Sequence, residues 1–179
     1  MNENIQLTIL IPIDLSRRAQ EIVSRLEYII HVCMHKNFQI SIGHNDQNTK
    51  MDILLKKIVH EYDTKLPNLI YINSKTIAGD TNLSKLRNMA FENVTTPFVL
   101  ILDVDIYPDV ILFELLLNRM MSKMLPFIMI PCLYLSESGT REIIDSFDFK
   151  KNKIISEYLA FSRRDVQHLA IPSSVIILK

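Results

Sequence analysis

Glycine is nearly missing from this chain: Gly43, Gly79 and Gly139 are the only three in 179 residues. Loops that hold phosphates on backbone N–H groups need several closely spaced glycines, so a Walker loop and a dinucleotide fingerprint are both excluded. Excess charge is missing too. Lys and Arg total 20 and Asp and Glu total 20, which leaves no global field to gather nucleic acid or an anionic membrane surface. An anionic ligand would have to be held by local groups or by a metal. Cysteine is limited to Cys33 and Cys132, without a motif spacing; both read as reduced core thiols of a cytosolic protein. No apolar run has the length of a membrane span, since the 110–121 segment is broken by Glu114, Asn118 and Arg119. The opening residues Met1–Gln6 lack a basic region and a leader-type apolar stretch, which predicts no signal peptide.

What is present is a strongly apolar chain, 48% hydrophobic, of a length that suits one domain with a substantial core. Leu7–Ile13 is a buried-strand candidate. Asp14-Leu15-Ser16 then opens a helix to about Lys36, with Ile22, Val23, Leu26, Ile29, Ile30 and Cys33 at helical spacing. Strands follow at 38–42 and 68–72, the latter near a sheet edge, with an amphipathic helix over 49–62 between them. A short helix over 82–93 precedes a strand that runs to Asp103. Pro108 suits the first turn of another helix to about Lys123, and 127–134 is a further strand. Residues 136–156 look like a polar excursion, 157–169 follow, and Ser174–Leu178 is again strand-like. Alternating strands and helices predict an α/β fold, a three-layer α/β/α sandwich with a mostly parallel sheet. Ending on a buried-type strand suggests a domain that is incomplete at its C-terminal end, a piece of a longer protein. There is no internal repeat, low-complexity tract or linker.

The segment Pro97–Asp109 carries the strongest chemical signal. An apolar, β-branched run without polar alternation reads as a strand buried on both faces. It ends in Asp103-Val104-Asp105, and strand alternation would project both carboxylates from one side of its carboxyl end, where open α/β sheets bind ligands. Two acids beside a core are costly unless partnered. A divalent cation carrying a phosphorylated ligand is a partner that fits.

Two families end an apolar strand in Asp-x-Asp. In haloacid-dehalogenase-like phosphatases small residues follow, the motif lies near the start of the chain and a later acidic pair binds magnesium. Here Ile106-Tyr107 follows, the motif is mid-chain and no such pair is evident. The better match is to family 2 glycosyltransferases of the GT-A fold. Four parts resemble them in order: Leu7–Ile13 with Pro12 and the basic pair Arg17-Arg18; the strand at 38–42 with its polar turn; Asn82–Ala90 with Arg87-Asn88; and Thr95–Asp105. The resemblance covers most of the chain to about 135, its nucleotide-sugar-binding half, and resumes at 172–178 within an acceptor-side region, 136–179. It implies a hexosyltransferase-type enzyme that takes a nucleoside diphosphate sugar, UDP-linked by preference. Such an enzyme transfers the sugar to a saccharide acceptor with inversion, using a base to deprotonate the acceptor hydroxyl. It also implies Mn²⁺ or Mg²⁺ as cofactor, held by hard oxygen ligands as a Lewis acid. Asp105 would be the direct metal ligand, and Asp103 would meet the ribose or order metal-bound water. Pro12 and Asp14 would flank the base pocket, and Arg87 would reach the nucleotide. Relatives carry an Asp contacting uracil in the turn after the second strand; His44 stands at or near that position, with Asp46 two residues on. The family's catalytic base lies in a later acidic motif, expected beyond Lys179. Many relatives build polysaccharides at the cytoplasmic face of a membrane, which sets the expected location and allows for further domains in a longer protein.

Plainer readings stand beside these. Asp109 in a first helical turn stabilises the helix dipole without any function. Arg87, at the margin of the face made by Leu83, Leu86 and Ala90, could equally be salt-bridged, and Lys85 reads as surface. His44 suits a turn. His31 and His35 have chelating spacing but lie off the apolar stripe without an acidic partner. Tyr107 either stacks on a sugar or packs at a helix entry. At the level of function, the alternatives are a non-catalytic module for assembly or binding, and the phosphatase.

Overall fold

The computed structural model describes residues 6–16, 19–34, 36, 38–65, 68–75, 82–106, 110–130 and 174–178. Arg17, Arg18, His35, Tyr107, Asp109, Cys132 and the expected segments 136–156 and 157–169 lie outside the described residues. The elements are β1 (Leu7–Asp14), α1 (Ala19–Met34), β2 (Gln39–Asp46), α2 (Lys50–Asp63), β3 (Leu69–Lys75), α3 (Leu83–Phe91), β4 (Phe98–Ile101), α4 (Val110–Lys123), β5 (Phe127–Ile130) and β6 (Ser174–Leu178). They build one sheet in the order β3-β2-β1-β4-β6-β5. Strands β3, β2, β1 and β4 run parallel, while β6 is antiparallel to both of its neighbours. The fold is therefore the expected α/β sandwich with a mostly parallel sheet.

Register sorts the side chains into two faces, because residues paired across parallel strands project from the same side. Ile9, Ile11 and Ile13 pair with Ile40, Ile42 and His44. Their face carries the main core, where they pack with Val23, Leu26, Ile29 and Ile30 of α1, Leu55 and Val59 of α2, and Phe113 and Leu117 of α4. On the other face Thr8, Leu10, Pro12 and Asp14 pair with Gln39, Ser41, Gly43 and Asn45. Only α3 covers that face among the described residues. Leu10 and Val99 meet Ala90 and Val94 there in a small second core.

Helix α3 lies unusually close to the sheet. Ser41 Oγ donates to the Ala90 carbonyl at 2.5 Å, and a Cβ at Gly43 would enter the van der Waals shell of the Leu86 carbonyl oxygen. This one glycine lets the backbones approach. The two contacts also give the direction of α3. Moving two residues along β2, from Ser41 to Gly43, matches moving four back along the helix, from Ala90 to Leu86, so α3 runs against the strands. Its N-terminus, capped by Asn82, lies towards the carboxyl end of the sheet.

Three expectations are corrected. The second strand runs on to Asp46 rather than ending at 42 in a polar turn, and the third extends to Lys75 rather than 72. The motif strand is short: β4 stops at Ile101, and Ile106 N donates to the Asp103 carbonyl at 3.1 Å in the turn that follows. Asp103 and Asp105 therefore flank a turn and are not presented by strand alternation. No helix among the described residues is long and apolar enough to cross a membrane.

Candidate nucleotide-sugar site

Strand order locates the candidate site. The chain moves outward from β1 to β2 to β3, then returns to place β4 on the other side of β1. The crevice between the carboxyl ends of β1 and β4 is thus a topological switch point, the place where open α/β sheets take ligands. Pro12 helps to open it. Leu10 and Pro12 face β4 with the same backbone edge, and the last bond across that edge is Leu102 N to Leu10 O at 3.0 Å. One step further, Pro12 has no N–H to offer and β4 has already ended, so a proline is tolerated in a central strand.

Around this crevice the structure gathers four of the expected residues: Pro12, Asp14, Arg87 and Asp103. Asp14 closes β1 by accepting from Ser16 N at 3.0 Å and Ser16 Oγ at 2.7 Å, a local turn that sets the direction of the exit. Arg87 projects from α3 and donates from Nη2 to Asp103 Oδ1 at 2.9 Å. Both side chains are about one-third exposed, 35% and 32%. Only one N–H of the guanidinium fork is used in this pair, and Arg87 Nε is buried without a hydrogen-bond partner among the described residues. Asp105 is exposed on the turn.

His44 and Asp46, expected at the base pocket, fall elsewhere. Alternation puts His44 on the α1/α2 face, and it is fully buried. Its Nδ1 lies 2.8 Å from the Tyr71 hydroxyl, and its Nε2 lies 2.8 Å from Asp52 Oδ1, off the line of a straight N–H···O bond. Burial lowers the His44 pKa despite the pull of the Asp52 carboxylate, so the ring is neutral. Burial also opposes ionisation of Asp52, but hydrogen bonds from Thr49 and Gln47 outweigh it and hold the carboxyl below its ordinary range. Asp46 is nearly buried, accepts from Asn48 N at 2.9 Å and pairs with Lys56 of α2. These two residues brace β2 against α2 and β3; neither lies on the crevice side.

The residue that sequence reasoning missed is Asn45. It pairs with Asp14 in register, so it shares the crevice face with Asp14 and Gly43. A further two-residue step along β2 rises about 6.6 Å, close to the roughly 6 Å of four helical residues. That step brings Asn45 level with Asn82 at the N-terminus of α3. Asn45 is 2% exposed, and its Oδ1 has no hydrogen-bond partner among the described residues, a costly state that points to a missing donor. Strand parity was the available signal: counting alternate residues from Ser41 and Gly43 selects Asn45 rather than His44.

As a metal site the carboxylates are sparse. No group of three or more His, Cys, Asp or Glu side chains among the described residues could hold an ion. Asp103 and Asp105 are hard oxygen donors that fit a cation shared with a ligand's phosphates, the usual arrangement for Mg²⁺, rather than one in an all-protein cage.

No family model matches the chain, and no curated protein matches it. Solved structures do. Residues covering 70% of the chain superpose on Staphylococcus aureus TarS 1-349 with a TM-score of 0.51 at 19% identity, matching 35% of that chain. The complex of TarS 1-349 with UDP-GlcNAc gives 0.51, 19%, 70% and 34%, and the complex with UDP gives 0.50, 18%, 70% and 35%. The chain shares the α/β fold of this part of TarS. It spans about a third of the length of these neighbours.

Proposed function

We propose that this chain is the donor-binding part of a metal-dependent glycosyltransferase of GT-A type, similar to family 2, that takes a UDP-sugar and transfers it with inversion to a saccharide acceptor. The observation that carries the reading is the convergence of Pro12, Asp14, Asn45, Arg87 and Asp103 at the switch point, on a fold shared with a protein solved with UDP and UDP-GlcNAc. In this reading the uracil lies between β1 and the N-terminus of α3, where Asn45 Oδ1 accepts its N3–H and Pro12 and Asp14 form the walls. The diphosphate lies nearer Arg87, whose guanidinium offsets its charge. Asp105 and Asp103 hold Mn²⁺ or Mg²⁺, which as a Lewis acid neutralises charge on the departing diphosphate.

Thermal unfolding with UDP, with and without Mn²⁺, tests this. A ligand present at a hundredfold its Kd stabilises the native state by about 2.7 kcal/mol, so a clear rise in Tm is expected with both together and a smaller one with UDP alone. Asp105→Ala should remove the increment due to Mn²⁺. Equal shifts with and without the metal would sink its assigned role, and no shift with UDP would sink the donor reading.

A further inference from the structure

Among the groups at the crevice, Arg87 is the one whose present bond conflicts with the proposed occupancy. Its guanidinium already neutralises Asp103 at 2.9 Å, the carboxylate assigned to the metal side. A divalent cation arriving alone would meet a carboxylate whose charge is already offset, with a positive group beside it. We infer that Arg87 acts as a placeholder cation that couples metal and diphosphate binding: it holds Asp103 while the site is empty and passes to the phosphates when the nucleotide enters, freeing Asp103 for the metal. This rests on the donor-binding reading and adds a linkage to it.

Three features fit an exchange rather than a fixed structural pair. The contact is single, not the two-pronged geometry that makes Arg–carboxylate pairs strong. Both partners are partly open to solvent, where such pairs contribute little and are easily replaced. Arg87 Nε has no hydrogen-bond partner among the described residues, so the guanidinium stands to gain hydrogen bonds by moving to a phosphate with several acceptor oxygens. Among the described residues, Asp14, Asp103 and Asp105 are the carboxylates that end β1 and follow β4, and Arg87 is in contact with Asp103. Releasing Arg87 to a diphosphate leaves a strongly cation-attracting pair at Asp103 and Asp105, so the ligand that removes the guanidinium also creates the affinity for the metal.

The test is Mn²⁺ binding without nucleotide, read from the loss of the free-ion signal in electron paramagnetic resonance. It is run on the full chain and on Arg87→Met, with Arg87→Gln as a second variant and circular dichroism to verify folding. Lys85→Met, which removes an exposed positive charge on the same helix, controls for the general field. Arg87→Met should bind Mn²⁺ alone at least about fivefold more tightly than the wild type, the lower end of typical coupling between sites. Lys85→Met should change within about twofold. Adding UDP should sharpen Mn²⁺ affinity more in the wild type than in Arg87→Met. Unchanged or weaker Mn²⁺ binding in both Arg87 variants overturns the proposal, as does an equal gain in Lys85→Met. If the wild type binds UDP with Mn²⁺ but the variants show no gain, the coupling alone fails. If the wild type binds no UDP at all, the donor reading fails and the coupling goes with it.

Discussion

At Gly43 a missing side chain sets the position of an arginine on the facing helix. Its Cα lies under the Leu86 carbonyl, one residue before the arginine that meets Asp103. Gly43→Ala must therefore lift α3 from β2, and overpacking of this kind costs about 1–3 kcal/mol. Urea titration should show a lower midpoint with unchanged slope, and UDP affinity should fall because Arg87 moves with its helix. A wild-type midpoint would mean that the backbones have room that the structure does not show. Asn45 and His44 make the complementary point about legibility. Both lie in one polar turn-like stretch of sequence, where composition alone cannot tell which faces the ligand. The strand runs on to Asp46, and the alternation of β2 decides it. His44 is committed to Tyr71 and Asp52, whereas Asn45 keeps an oxygen without a partner among the described residues.

The elements that the sequence made legible are those whose pattern is internal: β1 by its apolar run, α1 by its periodicity, α2 by its amphipathic pattern. The length of β4 was not, because Leu102 and Val104 are buried like strand residues although the ladder has ended. The joint between β2, β3 and α2 was equally hidden, since it depends on His44 reaching across to Tyr71 and down to Asp52. This joint predicts a pH response. The native pKa of His44 lies below its ordinary value, so the unfolded chain takes up the proton first. The stabilisation is complete above about pH 6.5 and is lost as the pH falls below it, with a slope of at most about 1.4 kcal/mol per pH unit. Urea unfolding at pH 7.5 and at pH 5 should show this loss, and His44→Gln should flatten it; an equal slope in the variant would assign the effect to other groups. The end of α4 offers an opposite case. Met124 has φ of 50°, is 89% exposed and precedes Leu125 N donating to Met120 O at 3.1 Å, the hydrogen bond of a Schellman ending. Met124→Gly removes the left-handed penalty without losing packing, and thermal unfolding should report a gain of roughly 0.5–1 kcal/mol.

For the molecule as a whole, the two faces of the sheet divide the work. One buries the main core under three helices. Among the described residues, the other carries a single helix, α3, set close by Gly43, and the switch point lies at the ends of β1 and β4. Ligand binding should therefore be felt unevenly. Amide hydrogen exchange reports local opening, and a ligand that binds the native state slows exchange where it closes the structure. With UDP and Mn²⁺ together, slower exchange is expected at 12–16, 43–46, 82–87 and 101–106, the segments that meet at the crevice. Strand β5, at the far edge beyond β6, should keep its rate unless the whole chain is protected by the rise in global stability. Comparing Arg87→Met with the wild type at equal saturation separates the two effects, because global protection follows occupancy while protection of 101–106 follows the release of Asp103. If β5 slows as much as 101–106 at every saturation, the ligand acts through global stability and the switch-point site loses its support. If protection centres on β5 and β6, the nucleotide binds at the opposite edge of the sheet, away from Asp103 and Arg87.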